Sequence, residues 1–239
     1  MDTKKPVLTI RHAGCVYKRK GSVFSSKKDL FWALKDVSLD LYDGEALGVI
    51  GKNGAGKTTM LRLMAGIIKP DRGTIRTNAK KISLLSLQVG FLGHLSGRKN
   101  AILSGLMLGL TYEEIECHMR SIIDFSELSE FIDQPVATYS AGMRARLGFS
   151  VAFHTNPDIL LVDETLGVGD TEFRRKSTMV MKEKIRSNMT VVLVSHNASL
   201  IKELCDRAVW IDNGVSENEG RAEEVVEYYE NHLKGGTRG

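Results

Sequence analysis

Long apolar runs are missing from this chain of 239 residues. The longest candidate, residues 101–110, is about half of the roughly 18 residues that a bilayer-spanning helix needs, and Ser104, Gly105 and Gly109 interrupt it. The first residues, Met1-Asp2-Thr3-Lys4-Lys5-Pro6, hold no apolar signal core, so the expectation is a chain that stays in the cytosol. Cysteine is scarce. Cys15, Cys117 and Cys205 lie far apart with no C-x-x-C, which argues against a disulfide framework or a zinc site and predicts buried reduced thiols. Internal repeats and low-complexity tracts are absent. So is the interleaving of aromatic and basic residues that marks an RNA reader. Concentrated charge is nearly absent too: net charge is +4, and the basic residues gather in short runs such as Lys18-Arg19-Lys20 and Lys27-Lys28. A mixed solvated surface accounts for that balance. Attraction to an anionic membrane surface or to nucleic acid is the alternative.

What is present is ordinary globular material, 42% hydrophobic and 26% charged, with one motif that organises the rest. Gly51-Lys52-Asn53-Gly54-Ala55-Gly56-Lys57-Thr58 fits G-x-x-x-x-G-K-[ST] without deviation. The apolar run 46–50 reads as a buried strand before it, and 59–65 reads as a helix after it. Glycines let the backbone wrap tightly and turn N–H groups onto phosphate oxygens. The helix N-terminus adds partial positive charge at the same point. Lys57 is then placed to reach β- and γ-phosphates, and Thr58 to offer a hydroxyl to Mg²⁺.

Strands are expected at 7–17, at 33–42 with Leu34, Val37, Leu39 and Leu41 alternating, and at 82–87. Residues 18–31 read as an exposed loop, Asp43-Gly44 as a tight turn, and 69–73 as the end of the helix that follows the glycine-rich loop. The texture changes over 90–155. Thr111-Tyr112-Glu113-Glu114 is a capping box, followed by Ile115, Met119, Ile122 and Ile123 at helical spacing. A second helix is expected over 142–154 with Leu147, Val151 and His154 on one face. Continuous apolar runs at 159–162 and 190–194 suit strands of a mainly parallel sheet. Tyr228-Tyr229 fall in a final helix, and the glycine-rich end reads as frayed.

Asp163-Glu164 closes the 159–162 run, where α/β sheets place ligand chemistry. Asp163 is a candidate Mg²⁺ ligand and Glu164 a candidate to polarise the attacking water; capping of a following helix is the other reading. Ser140 and the N–H groups after it form a second anion site or a simple N-cap. His196, just past the 191–194 run, is a candidate γ-phosphate partner.

Together these residues resemble the nucleotide-binding subunit of an ATP-binding cassette (ABC) transporter over nearly the whole chain. The resemblance implies an α/β P-loop NTPase (RecA-like) core, 1–89 and 156–239, with an antiparallel β-subdomain and an inserted α-helical subdomain at 90–155. It implies ATP and Mg²⁺ as ligands. Gly51 through Thr58 and Thr59 would hold the phosphates, and Thr58, Gln88 and Asp163 the metal. Glu164 and His196 would be catalytic. Ser140, Gly142 and Asp170 would complete the site of a second copy in a head-to-tail homodimer. Tyr17, or else Trp32, would stack on adenine. Gln88 stands about one residue closer to Leu95-Ser96 than in the usual pattern.

The departures narrow the family. Tyr139-Ser140-Ala141-Gly142-Met143 replaces L-S-G-G-Q, Thr165-Leu166-Gly167-Val168-Gly169-Asp170 follows the acidic pair, and Leu95-Ser96-Gly97-Arg98-Lys99-Asn100 is similar to an L-T-G-R-E-N element. These are similar to ATPases that export O-antigen, capsule or teichoic-acid polymers. The resemblance implies a peripheral subunit at the cytoplasmic face of the inner membrane, driving an integral membrane permease that carries a lipid-linked polysaccharide, with no nucleic acid partner. Docking of the permease is expected from Gln88 through the helical insertion. The basic loop 18–31 either approaches the glycan pyrophosphate or is simply solvated. No room is expected for a C-terminal carbohydrate-binding domain. A drug or lipid exporter is the nearest alternative; a soluble nucleic-acid-associated ABC ATPase is more distant. A GTPase is disfavoured by the absence of N-K-x-D.

Overall fold

Two long strands open the fold, β1 (Pro6–Lys18) and β2 (Leu30–Tyr42), paired antiparallel with Ile10 opposite Leu39 and Tyr17 opposite Phe31. The computed structural model describes residues 5–18, 30–85, 90–163 and 167–235. Gln88, Glu164 and the basic residues 19–29 lie outside that set. The chain divides into two units: Met1–Leu84 with Asp158–Glu164 and Ile185–Gly239, and Leu85–Pro157 with Thr165–Lys184.

In the first unit, the alternation expected in β2 holds, with Leu34, Val37, Leu39 and Leu41 all buried. The strand starts earlier than the pattern suggested, because Leu30, Phe31 and Trp32 continue the pairing with β1 while staying exposed. The turn at Asp43-Gly44 leads into β3 (Ala46–Ile50), buried at every position. Gly44 has φ 70, the left-handed region that such a turn requires. Next come α1 (Lys57–Met64), β4 (Arg72–Thr77) and β5 (Ile82–Leu84). The chain leaves α1 at Ala65, sooner than the Lys69-Pro70 signal; Gly73, at φ 75, already lies in β4, close over the carbonyls of Arg11 and His12.

The unit resumes with β6 (Ile159–Asp163), β7 (Val191–Val194), α6 (Ala198–Leu204), β8 (Arg207–Asp212), β9 (Val215–Arg221) and α7 (Ala222–Gly235). Among the described residues nine strands form a sheet in the order β4-β1-β2-β9-β8-β3-β7-β6-β5. From β8 to β5 the neighbours run parallel, and β4, β1 and β2 form an antiparallel flank. Full burial explains why β3, β6 and β7 read as unbroken apolar runs. Each fully buried Val, Leu or Ile contributes about 1.5–3 kcal/mol, so this central core dominates the unit's stability.

The second unit is helical: α2 (Gly97–Met107), α3 (Tyr112–Ser126), α4 (Ala141–Phe153) and most of α5 (Thr171–Arg186). The capping box is complete at α3. Thr111 Oγ1 accepts from the Glu114 N–H, and the Glu114 carboxylate accepts from the Thr111 N–H at 2.7 Å. Ile115, Met119, Ile122, Leu147 and Val151 pack into one core with Ala101 and Tyr139. His154 sits at the C-cap of α4 rather than in the helix. Phe125, Phe149, Phe153 and Phe173 form an aromatic cluster, with Phe149 and Phe173 meeting edge-on at 6.0 Å.

The expectation of buried thiols holds for Cys15 and Cys205. Cys117 is exposed, because it lies on α3 off the stripe of Ile115, Met119 and Ile122.

Candidate nucleotide-binding site

The loop Gly51–Gly56 connects the end of β3 to the first turn of α1 in the first unit. Its backbone needs glycine at three points, not all for the same reason. Gly54, at φ 81, is open around its Cα; Gly56 has φ 108, and a Cβ there would lie 2.5 Å from the Ala33 carbonyl oxygen. Gly51 is equally constrained, since a Cβ would sit 2.2 Å from the Ile211 carbonyl oxygen. The loop is therefore pressed between β2 and β8 while Lys52, Asn53 and Gly54 face solvent. Lys57 is 6% exposed and its ammonium donates to the carbonyls of Gly51 at 2.8 Å and Lys52 at 3.1 Å. Its amine thus lies over the mouth of the loop, at the helix N-terminus where an anion is favoured. Thr58 and Thr59 follow in the same first turn.

One brace was missed in the sequence. Asn213-Gly214 turns β8 into β9 with φ 47 and 80. Gly214 donates its N–H to the Ala55 carbonyl at 3.0 Å, and its own carbonyl accepts from Lys35 at 2.7 Å and Asp36 at 3.1 Å. Asn-Gly between strand-like segments is a strong hairpin signal and could have been read.

Three parallel strands end at this loop. Asp163, the last residue of β6, is paired with Val194 of β7, and its Oδ2 accepts from Thr58 Oγ1 at 3.0 Å. Asp163 faces across to the loop. Ahead of α5, Asp170 Oδ1 accepts from the Phe173 N–H at 3.0 Å. Ser195 follows β7 and donates its N–H to Val49 of β3 at 3.2 Å. The exposed His196 comes next, at the same sheet end as Gly51 and Asp163. Tyr17 is half-exposed on β1, opposite Phe31, two residues along β2 from the carbonyl that touches Gly56. Trp32 has one ring face covered by the Arg72 guanidinium at 4.4 Å.

The donors suit a hard cation bridging to phosphate. A hydroxyl and a carboxylate within hydrogen-bond reach are oxygen ligands of the kind Mg²⁺ takes beside waters and phosphates. Among the described residues no group of three or more His, Cys, Asp or Glu gathers into a self-sufficient metal cage.

The second unit holds the remaining predicted residues. Ser140 is the N-cap of α4 and accepts from the Met143 N–H at 3.1 Å. Gly142 is open around its Cα: a Cβ there would meet only Ser140 Oγ, at 3.7 Å. Asp170 is exposed; the Phe173 N–H, with Arg146 nearby, holds its carboxyl below the usual range. The loop ahead of α2 is fastened by Asn100, fully buried. Its amide donates to the carbonyls of Leu92, Leu95 and Ser96, each at 3.0 Å, and its oxygen accepts from the Leu92 N–H at 2.7 Å. Among the described residues no helix is long and apolar enough to cross a membrane.

A family model described as ABC transporter matches residues 34–167. The O-antigen export system ATP-binding protein RfbB of Klebsiella pneumoniae is 41% identical over 239 residues, covering 94% of this chain and 97% of that protein. The teichoic acids export ATP-binding protein TagH of Lactococcus lactis is 47% identical over 214 residues, covering 90% of this chain; the chain spans 46% of that relative's length. Among solved structures, a dimeric post-hydrolysis state of the ATP-binding cassette MJ0796 bound to ADP and Pi aligns with a TM-score of 0.70 at 21% identity, over 90% of this chain and 98% of that one. At that identity the likeness bears on the fold.

Proposed function

This chain belongs to the ABC transporter family, and we propose that it is the ATP-hydrolysing subunit of a bacterial exporter that moves a lipid-linked O-antigen or related surface polysaccharide across the inner membrane. The single observation that carries the ATPase reading is the 3.0 Å hydrogen bond from Thr58 to Asp163, which puts a hydroxyl and a carboxylate side by side at the mouth of a complete phosphate loop. The polymer class rests on relatives 41% and 47% identical whose names specify O-antigen and teichoic acid export.

The chain's own groups divide the work. Lys57 exchanges its bonds to the Gly51 and Lys52 carbonyls for β- and γ-phosphate oxygens, charge-assisted and therefore stronger. Glycine N–H groups and the start of α1 surround the same phosphates. Thr58, Asp163 and Gln88 would hold Mg²⁺, which would offset phosphate charge. Glu164 polarises the attacking water, and His196 contacts the γ-phosphate from the neighbouring strand end. Tyr17 stacks on the adenine. Ser140, Gly142 and Asp170 act on the nucleotide of a second copy, so closure of a homodimer completes each site. The subunit works at the cytoplasmic face of the membrane on an integral permease.

The test is the location of surface glycan in a native host carrying Glu164→Gln. Loss from the surface with lipid-linked polymer accumulating inside is the expected result. Normal surface glycan would remove the polysaccharide reading and turn attention to drug or lipid export.

A further inference from the structure

We infer that Arg146 is a positioning residue that ties Asp170 to helix α4, so that Ser140 and Asp170 present to a partner's nucleotide as one piece; this rests on the trans role given to those two residues above. Arg146 lies on α4, six residues after Ser140, with its side chain 19% exposed. Its Nε is buried and makes no hydrogen bond among the described residues. Burying a guanidinium with a donor unsatisfied is costly, which demands a compensating role for the remaining donors.

One of those donors, Nη1, faces two carboxylates. Nη1 lies 3.3 Å from Glu127 Oε2 and 3.8 Å from Asp170 Oδ2. The stem matters as well. Gly169, at φ 82, passes so close over it that a Cβ there would sit 3.3 Å from Arg146 Cγ. The turn into α5 therefore rests on the Arg146 side chain, while Asp170 Oδ1 is fixed separately by the Phe173 N–H.

Glu127 keeps the pairing loose. It ends α3 in the left-handed region, φ 57, and its other oxygen accepts from Lys176 at 2.8 Å. Lys176 is itself seated over the Phe125 ring at 4.5 Å and bonded to the Phe125 carbonyl. Glu127, itself anchored by Lys176, thus holds Nη1 of Arg146, and the same nitrogen faces Asp170. A 3.8 Å ion pair with one exposed partner is a weak hold on its own. Combined with the packed stem, it fixes position without locking the carboxylate away from a second subunit.

The experiment is a double-mutant cycle on the full chain, with ATP turnover, KM for ATP and fluorescent ATP-analogue binding measured for Arg146→Met, Asp170→Asn and the pair. Met keeps the stem and removes the charge. A displaced catalytic partner typically costs one to two orders of magnitude, so each single variant is expected to lose about tenfold in kcat with analogue binding and KM unchanged. The double variant is expected to lose no more than either single, and Arg146→Lys to recover part of the loss. Additive losses, or an Arg146→Met chain that turns over normally, would overturn the inference. Should Arg146→Met fail to fold, the cycle is run with Arg146→Lys, and additivity there overturns it equally. If Asp170→Asn alone leaves turnover intact, the trans role of Asp170 fails first, and the inference falls with it.

Discussion

Lys57 shows how much of a site can rest on one side chain. Its ammonium is nearly buried and donates to the main-chain carbonyls of Gly51 and Lys52. An incoming phosphate offers that ammonium a charge-assisted bond, stronger than those to neutral carbonyls. Lys57→Ala should weaken nucleotide binding by about tenfold to a hundredfold, the span of a lost charge-assisted hydrogen bond, and titration calorimetry with ATP measures it directly. Affinity within twofold of wild type would place the phosphates elsewhere. This residue was legible in the sequence because glycine spacing, lysine and threonine are dictated by the backbone path itself. Asn100 was legible only as part of a family-like stretch. Its job, tying the carbonyls of Leu92, Leu95 and Ser96 to α2, depends on a loop conformation that no periodicity announces. Asn100→Ala removes these bonds and strips the Leu92 N–H of its acceptor, while the three carbonyls keep main-chain donors, so a loss of about 2 kcal/mol in urea unfolding is expected. A change under about 0.5 kcal/mol, the range of an ordinary surface substitution, would mean that the loop is held by other contacts.

Among the elements, α3 was readable from its capping box and its buried stripe, and β3, β6 and β7 from unbroken apolar runs. Helix α2 was not. It meets α3 through small and polar positions: Asn100, Ser104 and Gly105 are buried, and a Cβ on Gly105 would lie 2.7 Å from Ile115. Close approach replaces the aliphatic stripe that a periodicity search needs. The end of α4 holds a titration that only the structure reveals. His154 Nδ1 faces the Ser150 carbonyl at 2.6 Å, so Nδ1 carries the proton and donates, and Nε2 meets Ser121 Oγ at 3.0 Å. Burial, with His118 and Lys184 nearby, lowers its pKa below the usual histidine value. The unfolded chain therefore takes up a proton before the folded one as pH falls. Stability contributed by neutral His154 is present at neutral pH and is lost below about 6.5. His154→Asn retains a donor for Ser150 but does not titrate. Between about pH 7.5 and 5.5 the wild type should lose more unfolding free energy than this variant; parallel losses in denaturant titrations would refute the assignment.

At the scale of the whole molecule, the phosphate loop and Ser140 fall in different units of one chain, and the glycine-rich loop alone could not have told which copy each serves. That division was only partly visible in the sequence. The change of texture near residue 90 marked the insertion, but nothing in the apolar pattern of α5 indicated that residues 165–184 group with it. If two copies exchange Ser140 and Asp170, each site is half from one chain and half from the other. Lys57→Ala destroys a chain's own loop, and Ser140→Arg, which keeps nucleotide binding, destroys what that chain lends to its neighbour. Neither homodimer then has a working site. A mixed dimer has one, because the intact loop of the Ser140→Arg chain meets the intact Ser140 of the Lys57→Ala chain. Random mixing of equal amounts makes half the dimers mixed, so turnover should recover to about a quarter of wild type when the two sites act independently, as a two-fold symmetric pair allows. Assaying the mixture beside each variant alone decides the matter. Recovery requires the shared site, whereas a mixed rate equal to the average of the two separate rates means that Ser140 does not serve a partner's site that can work by itself.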